Sequence, residues 1–271
     1  MPGPFLAAAV QLRSTSDEEA NLRLCTELVE RAAGYGATLV VTPENTNYLG
    51  PHKEKVRLAQ ELDGAVCSRF GDLAAKHGIH LVLGSFNEKS EEEERCFNTS
   101  VYFGPGGDVL GVYSKIHLFD VDVSDEVRFQ ESATIRPGAE LVVVDDELGA
   151  VGLSICYDLR FPELYAALVA RGAQILTVPS AFTLMTGKDH WYPLLRARAI
   201  ETQAWVIAPA QTGRHDDKGL RHSYGHSLII DPWGQVVGAA PEGAGLALAE
   251  IDPGRVPTVR RAMPVASHRV L

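Results

Sequence analysis

The chain has 271 residues, a formal charge of −10 and 45% hydrophobic residues. That apolar share is too high for a disordered chain, and the net charge excludes a grip on nucleic acid or an anionic membrane through bulk electrostatics. No apolar run approaches the roughly 20 residues that span a bilayer, and the opening MPGPFLAAAVQL lacks the basic flank of a secretory leader. The cysteines (Cys25, Cys67, Cys96 and Cys156) are sparse and irregularly spaced, which fits a reducing cytosol and not a disulfide framework. The expectation is a cytoplasmic protein. Asn98-Thr99-Ser100 matches a glycosylation acceptor that such a protein leaves idle.

Strand-like and helix-like stretches alternate along the chain. Phe5 to Leu12 reads as a buried strand, and Ser16 to Glu19 has the form of a capping box. Behind it Ala20, Leu24, Leu28 and Ala32 recur every four residues, a helix ending near Gly34. Ala37 to Thr42 is a β-branched run stopped by Pro43, followed by a helix over about Ala65–His77 and a strand from Ile79 to Gly84. Residues 88–95 read as a charged, solvated turn. Asn98–Phe103 and Val109–Tyr113 flank a Gly-Pro-Gly-Gly hairpin turn, and residues 120–138 look polar and irregular.

Further strands are expected at Leu141–Val144, Val151–Ile155, Ile175–Val178, Val206–Pro209, Ser227–Ile230, Val236–Ala239 and Leu246–Ile251. Helices are expected over Phe161–Arg171, with Pro162 in its first turn, and Tyr192–Thr202. Such alternation predicts an α/β fold with helix-covered sheets. No linker-like composition divides residues 1–271, so one domain is expected, with a C-terminal tail from about residue 253.

Reactive groups in α/β folds gather beyond strand ends. Glu44 follows LVVTP, Lys115 follows VLGVYS, and Cys156 follows VGLSI. A carboxylate, an ammonium and a thiol suit cysteine acyl transfer: Glu44 as base, Cys156 as nucleophile, and Lys115 with the N–H after Cys156, that of Tyr157, supporting the oxyanion. Spacing alone leaves other readings open. A lone strand-end cysteine is usually a small buried hydrophobe, a Glu after Pro is often a cap or surface ion pair, and a Lys is often solvated.

Thr42-Pro43-Glu44, Tyr113-Ser114-Lys115-Ile116-His117-Leu118, Cys156-Tyr157-Asp158-Leu159-Arg160-Phe161-Pro162-Glu163 and Asp231-Pro232-Trp233-Gly234 together resemble the carbon–nitrogen hydrolase (nitrilase) superfamily. The resemblance runs in order to Pro264. It implies a four-layer α-β-β-α sandwich that pairs into homodimers or larger assemblies. It also implies a Glu44/Lys115/Cys156 triad, and a second carboxylate, Glu131, that orients Lys115. Segments such as Pro179-Ser180-Ala181-Phe182 and Arg196-Ala197-Arg198-Ala199-Ile200-Glu201-Thr202-Gln203 are most similar to the Nit-type amidases.

Within that group the likeness implies a cysteine thioester route that cuts the side-chain amide of deaminated glutathione, a carboxylate-bearing keto-amide, releasing ammonia or an amine. An ω-amidase acting on α-ketoglutaramate, an N-carbamoyl hydrolase and an idle scaffold are the alternatives. Arg160 is the matching anion clamp, since guanidinium binds carboxylate in a two-pronged fashion, and Tyr48, Phe182 and Thr186 match pocket positions. No cofactor and no metal are expected: the pairs His77/His80 and His222/His226 lack the partners of a metal motif. His190 and His226 read as supporting or structural groups. The partner expected is a small-molecule amide.

Overall fold

The computed structural model describes residues 3–124, 127–215 and 221–270. In chain order its first half holds β1 (Phe5–Leu12), α1 (Glu18–Gly34), β2 (Ala37–Val41), α2 (His52–Arg57), α3 (Ala65–His77), β3 (His80–Lys89), β4 (Cys96–Phe103), β5 (Val109–Ser114), β6 (Asp120–Ser124) and β7 (Val127–Gln130). The second half holds β8 (Val143–Asp146), β9 (Gly149–Leu153), α4 (Pro162–Ala170), β10 (Ile175–Thr177), α5 (Leu184–Thr202), β11 (Trp205–Ala208), β12 (Ala210–Arg214), β13 (His222–Tyr224), β14 (Leu228–Ile230), β15 (Val236–Ala239), β16 (Gly245–Ile251) and α6 (Arg255–Ala262).

One sheet runs β13-β12-β1-β2-β3-β4-β5, with β16 also paired to β1, and the other runs β15-β14-β11-β10-β9-β8. The period of two along β1 explains the layers. Ala8, Val10 and Leu12 pack with Leu22, Cys25, Leu28, Val66 and Phe70 of α1 and α3. Ala7 and Ala9 turn the other way, into a core shared with Val151, Leu153, Ile175 and Val206 of the second sheet. That second sheet is covered by α4 and α5 through Leu164, Leu168, Leu195 and Ala199. The result is the expected α-β-β-α sandwich. Each fully buried Leu, Val or Ile in it contributes about 1.5–3 kcal/mol.

Several boundaries differ from expectation for local reasons. The cap of α1 is Asp17, whose Oδ1 accepts the Ala20 N–H at 3.0 Å, and not the Ser16/Glu19 box. Its buried face is Leu22, Cys25, Leu28, Val29 and Ala32, rotated from the every-four stripe, while Leu24 is only half-buried. β3 continues through the start of the charged run because Asn87, Glu88 and Lys89 pair with Asn98, Phe97 and Cys96. The polar stretch after residue 120 is a two-stranded ladder, β6 with β7, ending in a short 3-10 turn at Glu131–Ala133. α5 starts eight residues early, at Leu184, and holds Pro193 inside. Beyond residue 253, Val256 and Val259 of α6 are buried against the body.

Candidate active site

Glu44 sits on the loop after β2, which a polar network holds closed. Thr42 Oγ1 accepts the Gly84 N–H at 2.9 Å, the Asn45 N–H donates to Ser85 Oγ at 2.8 Å, and Asn45 has φ +56°. Gly84 has to lack a side chain: a Cβ there would lie 1.8 Å from the Thr42 carbonyl oxygen. Lys115 leaves the end of β5, its N–H bonded to Asn98 O at 2.9 Å and its carbonyl accepting the Gly138 N–H at 2.8 Å. Cys156 opens a 3-10 turn, Cys156–Arg160, directly after β9, with its N–H on Pro179 O at 2.9 Å. Its φ of +49° is unusual for a residue with a Cβ, the kind of strain that surrounding structure must hold in place.

The three strand ends meet. Lys115 Nζ donates to Glu44 Oε1 at 2.8 Å and to Glu131 Oε2 at 2.9 Å, with Glu131 Oε1 at 3.1 Å. Glu44, Lys115, Glu131 and Cys156 are all buried, between 2% and 8% exposed. The Ala181 N–H donates to Glu44 Oε2 at 2.9 Å. Phe119 N–H fixes Glu131 Oε2 at 2.7 Å. Asn98 was legible as part of a hairpin strand and of an idle glycosylation acceptor, yet its Nδ2 donates to Glu44 Oε1 at 2.9 Å and Glu131 Oε1 at 3.3 Å.

The electrostatics follow from burial and pairing. Burial opposes the charge on Glu44, but the Lys115 ammonium outweighs it and holds the carboxyl below its ordinary range. Burial and the adjacent Glu44 charge push the Cys156 thiol well up. Lys115 is held well above the ordinary lysine range: burial works against its charge, and Glu131 and Glu44 overcome it. Both directions favour a protonated thiol beside an ionised carboxylate in the resting cluster.

This cluster opens into a cavity of about 360 Å³ whose lining includes Tyr157, Arg160, Phe182 and Thr186. The Arg160 guanidinium lies 5.2 Å from the Phe182 ring centroid and 5.8 Å from that of Tyr157, with its nitrogens 3.3 and 3.4 Å from His190 Nδ1. An edge-on contact Phe119–Tyr157 (5.1 Å) and a tilted one Phe119–Phe129 (5.3 Å) bring Phe129 of β7 and the residue before β6 into the wall. Tyr48 stands apart from the other pocket candidates: it is 1% exposed, packed beneath Gly50, with its hydroxyl 3.5 Å from Pro51 O.

Two lining residues had no signal in the sequence, His52 and Lys55 on α2, a helix too short to show periodicity. His226, at φ +59°, stacks beside Tyr224, and its carbonyl accepts the Trp191 Nε1–H at 2.7 Å. His80 is tied to Glu147 at 3.0 Å, far from the site in sequence and contact. Among the described residues no group of three or more His, Cys, Asp and Glu could hold a metal ion, and no helix is long and apolar enough to cross a membrane.

A buried thiol, carboxylate and ammonium meeting at three strand ends beside an open cavity are the groups of a thiol hydrolase site. The chain belongs to the carbon-nitrogen hydrolase family, whose pattern it matches over residues 6–261, and it is an amide-hydrolysing enzyme. It is 45% identical over 270 residues to a deaminated glutathione amidase from Synechocystis, covering 98% of both chains. The human deaminated glutathione amidase is 44% identical over 269 residues, covering 97% of this chain and 82% of that one. The crystal structure of the C. elegans NitFhit protein superposes with a TM-score of 0.93 at 42% identity, covering 99% of this chain and 66% of that one.

Proposed function

We propose that the enzyme hydrolyses deaminated glutathione, the substrate named for its relatives, with Cys156 as nucleophile, Glu44 as proton carrier and Lys115 as oxyanion support. The observation that carries this reading is the convergence of the three groups at one cavity that also presents Arg160. Glu44 removes the thiol proton as Cys156 Sγ bonds to the amide carbonyl carbon. The oxyanion then rests on Lys115 and the Tyr157 N–H. The N–H groups on either side are already used, that of Cys156 on Pro179 O and that of Asp158 on Ile155 O.

Glu44 then gives its proton to the amide nitrogen, the C–N bond breaks, and an amine leaves a thioester on Cys156. Glu44 next takes a proton from water, whose oxygen attacks the thioester. Collapse releases the acid and the sulfur recovers the proton. Glu131 accepts from Lys115 and fixes its direction. Arg160 binds the keto-acid carboxylate of the acyl group, with Phe182 and Thr186 lining the pocket around it.

The test is product analysis across deaminated glutathione, α-ketoglutaramate, a carbamoyl amino acid and a nitrile, with Cys156→Ala as control. The highest kcat/KM is expected for deaminated glutathione, released as α-ketoglutarate and cysteinylglycine. A higher value for α-ketoglutaramate makes the enzyme an ω-amidase, and turnover of neither removes the reading. Arg160→Ala should raise KM for keto-acid amides about 10-fold or more while simple amides change little, as expected when a charged hydrogen bond is lost. All four cysteines are free thiols, which fits a reducing cytoplasm. A homodimer accords with the exposed Ile200 and Trp233, adjacent where Gly234 packs on Ile200.

A further inference from the structure

Lys55 is a buried cation of the cavity that the reaction above leaves unused. It is 4% exposed, on α2, and lines the same cavity as Cys156. Its ammonium donates to Asn45 Oδ1 at 3.2 Å, and among the described residues no carboxylate lies within 4.0 Å of it. A buried ammonium is costly unless its donors are satisfied and its charge is matched. Lys115 differs in this respect, since Glu44 and Glu131 already answer its charge.

Arg160, the clamp for the acyl carboxylate, and Lys55 are separate cationic side chains of one lining. A substrate with two carboxylates would engage one at each.

We propose that Lys55 is a second anion-binding point, holding a carboxylate carried by the leaving amine of the amide substrate. Placement assigns it to the leaving side. Lys55 is bonded to Asn45, the neighbour of Glu44, and Glu44 is the group that hands its proton to the departing nitrogen. Arg160 has other neighbours: it lies against Tyr157, the residue after Cys156, and Phe182. The Lys55 wall is reinforced by Arg221, which donates to Gly50 O. Burial also presses the Lys55 ammonium below the ordinary lysine range, and the Glu131 charge only partly opposes this. A bound carboxylate would supply the missing counter-charge.

The inference deepens the proposed function, and rests on it only for the choice of acyl group. Deaminated glutathione leaves as cysteinylglycine, which carries a carboxylate, whereas α-ketoglutaramate has the same acyl group and leaves as ammonia. The test uses amide pairs that share an acyl group, one primary and one N-linked to cysteinylglycine, with full-length wild-type enzyme, Lys55→Met and Lys55→Arg.

Wild type should prefer the cysteinylglycine member. Lys55→Met should raise KM for that member about 10- to 100-fold with little change in kcat, the loss expected for a charge-assisted hydrogen bond. The primary amide should change less than about 3-fold, and Lys55→Arg should recover most of the preference. Equal losses on both members, or a loss confined to kcat, would make Lys55 a mere counter-charge to Glu131 and overturn the proposal. So would a wild-type enzyme with no preference within any pair. If the keto-acid pair is inert but another acyl pair shows the Lys55 effect, the substrate reading fails and the anion site stands.

Discussion

Two buried carboxylate clusters draw on neighbouring residues of the same two segments, around Lys115 and around Cys156, and do opposite work. In the first, Glu44 and Glu131 share Lys115 and Asn98 beneath an open cavity. In the second, Asp158 is fully buried and its oxygens accept the Tyr113 hydroxyl at 2.6 Å, the Ile155 N–H at 2.9 Å and the His117 N–H at 3.0 Å, with His117 Nδ1 2.7 Å away. Tyr113 and His117 flank Lys115, and Ile155 and Asp158 flank Cys156. The closed cluster therefore welds the lysine strand to the nucleophile turn, and the open one uses the alignment. A carboxylate surrounded by donors holds structure, while one left beside a thiol and a cavity can carry a proton.

Breaking the open cluster should have the largest effect. Cys156→Ala, Glu44→Gln and Lys115→Ala should each lower kcat/KM by about 10³-fold or more while the circular dichroism spectrum stays native, since residues acting as a unit lose nearly everything together. Turnover within 10-fold of wild type in any of the three would remove that residue from the chemistry. Opening the closed cluster should cost stability first. Asp158→Ala strands the Tyr113 hydroxyl and two donors near His117 and Ile155, and should lower unfolding free energy by about 2–4 kcal/mol in urea titrations. Activity should fall with it at temperatures where the variant is still folded, because the Cys156 turn loses its tie. Unchanged stability would mean that the weld is not one.

The smallest effect is a matter of pH. Lys115 outweighs burial and holds Glu44 below its ordinary value of 4.5. A lowered folded-state value means that its contribution to stability is present above 4.5 and lost as pH falls through the folded value. The same ionised base should keep kcat/KM free of an acid limb from pH 7 down to about 5, because a base with a depressed pKa is still deprotonated there. A limb near pH 6 in stopped assays on folded enzyme would assign the base to another group.

Much of this was legible along the chain. Strand β1 and helix α3 stand where expected, since their apolar runs and flanking Gly residues act locally. The order Glu44, Lys115, Cys156 at three strand ends pointed to one site because α/β strands deliver their ends to a common edge. Residues 120–138 looked irregular because their pairing partner lies within the same polar stretch, and Phe129 packs on Phe119, contacts absent from local pattern. Asn98 and Lys55 gave no sign, since an amide on a strand and a lysine on a six-residue helix are ordinary until a cavity forms around them. Tyr48 was expected to line the pocket, but packing beneath Gly50 placed it behind the wall.

By itself the sequence determined the layered α/β architecture, through the two-residue period of its strands and the three-to-four-residue period of its helices, and it marked the three reactive groups. Tertiary structure alone decided their charge states. Those depend on which ions lie within about 3 Å and how much water is excluded, quantities set by side chains 71 and 16 residues away from Lys115. The gathering of Lys55, Lys115 and Arg160 around one cavity in a chain of charge −10 belongs to the same category, because net charge is a sum over the sequence and a cavity's lining is a selection made by folding.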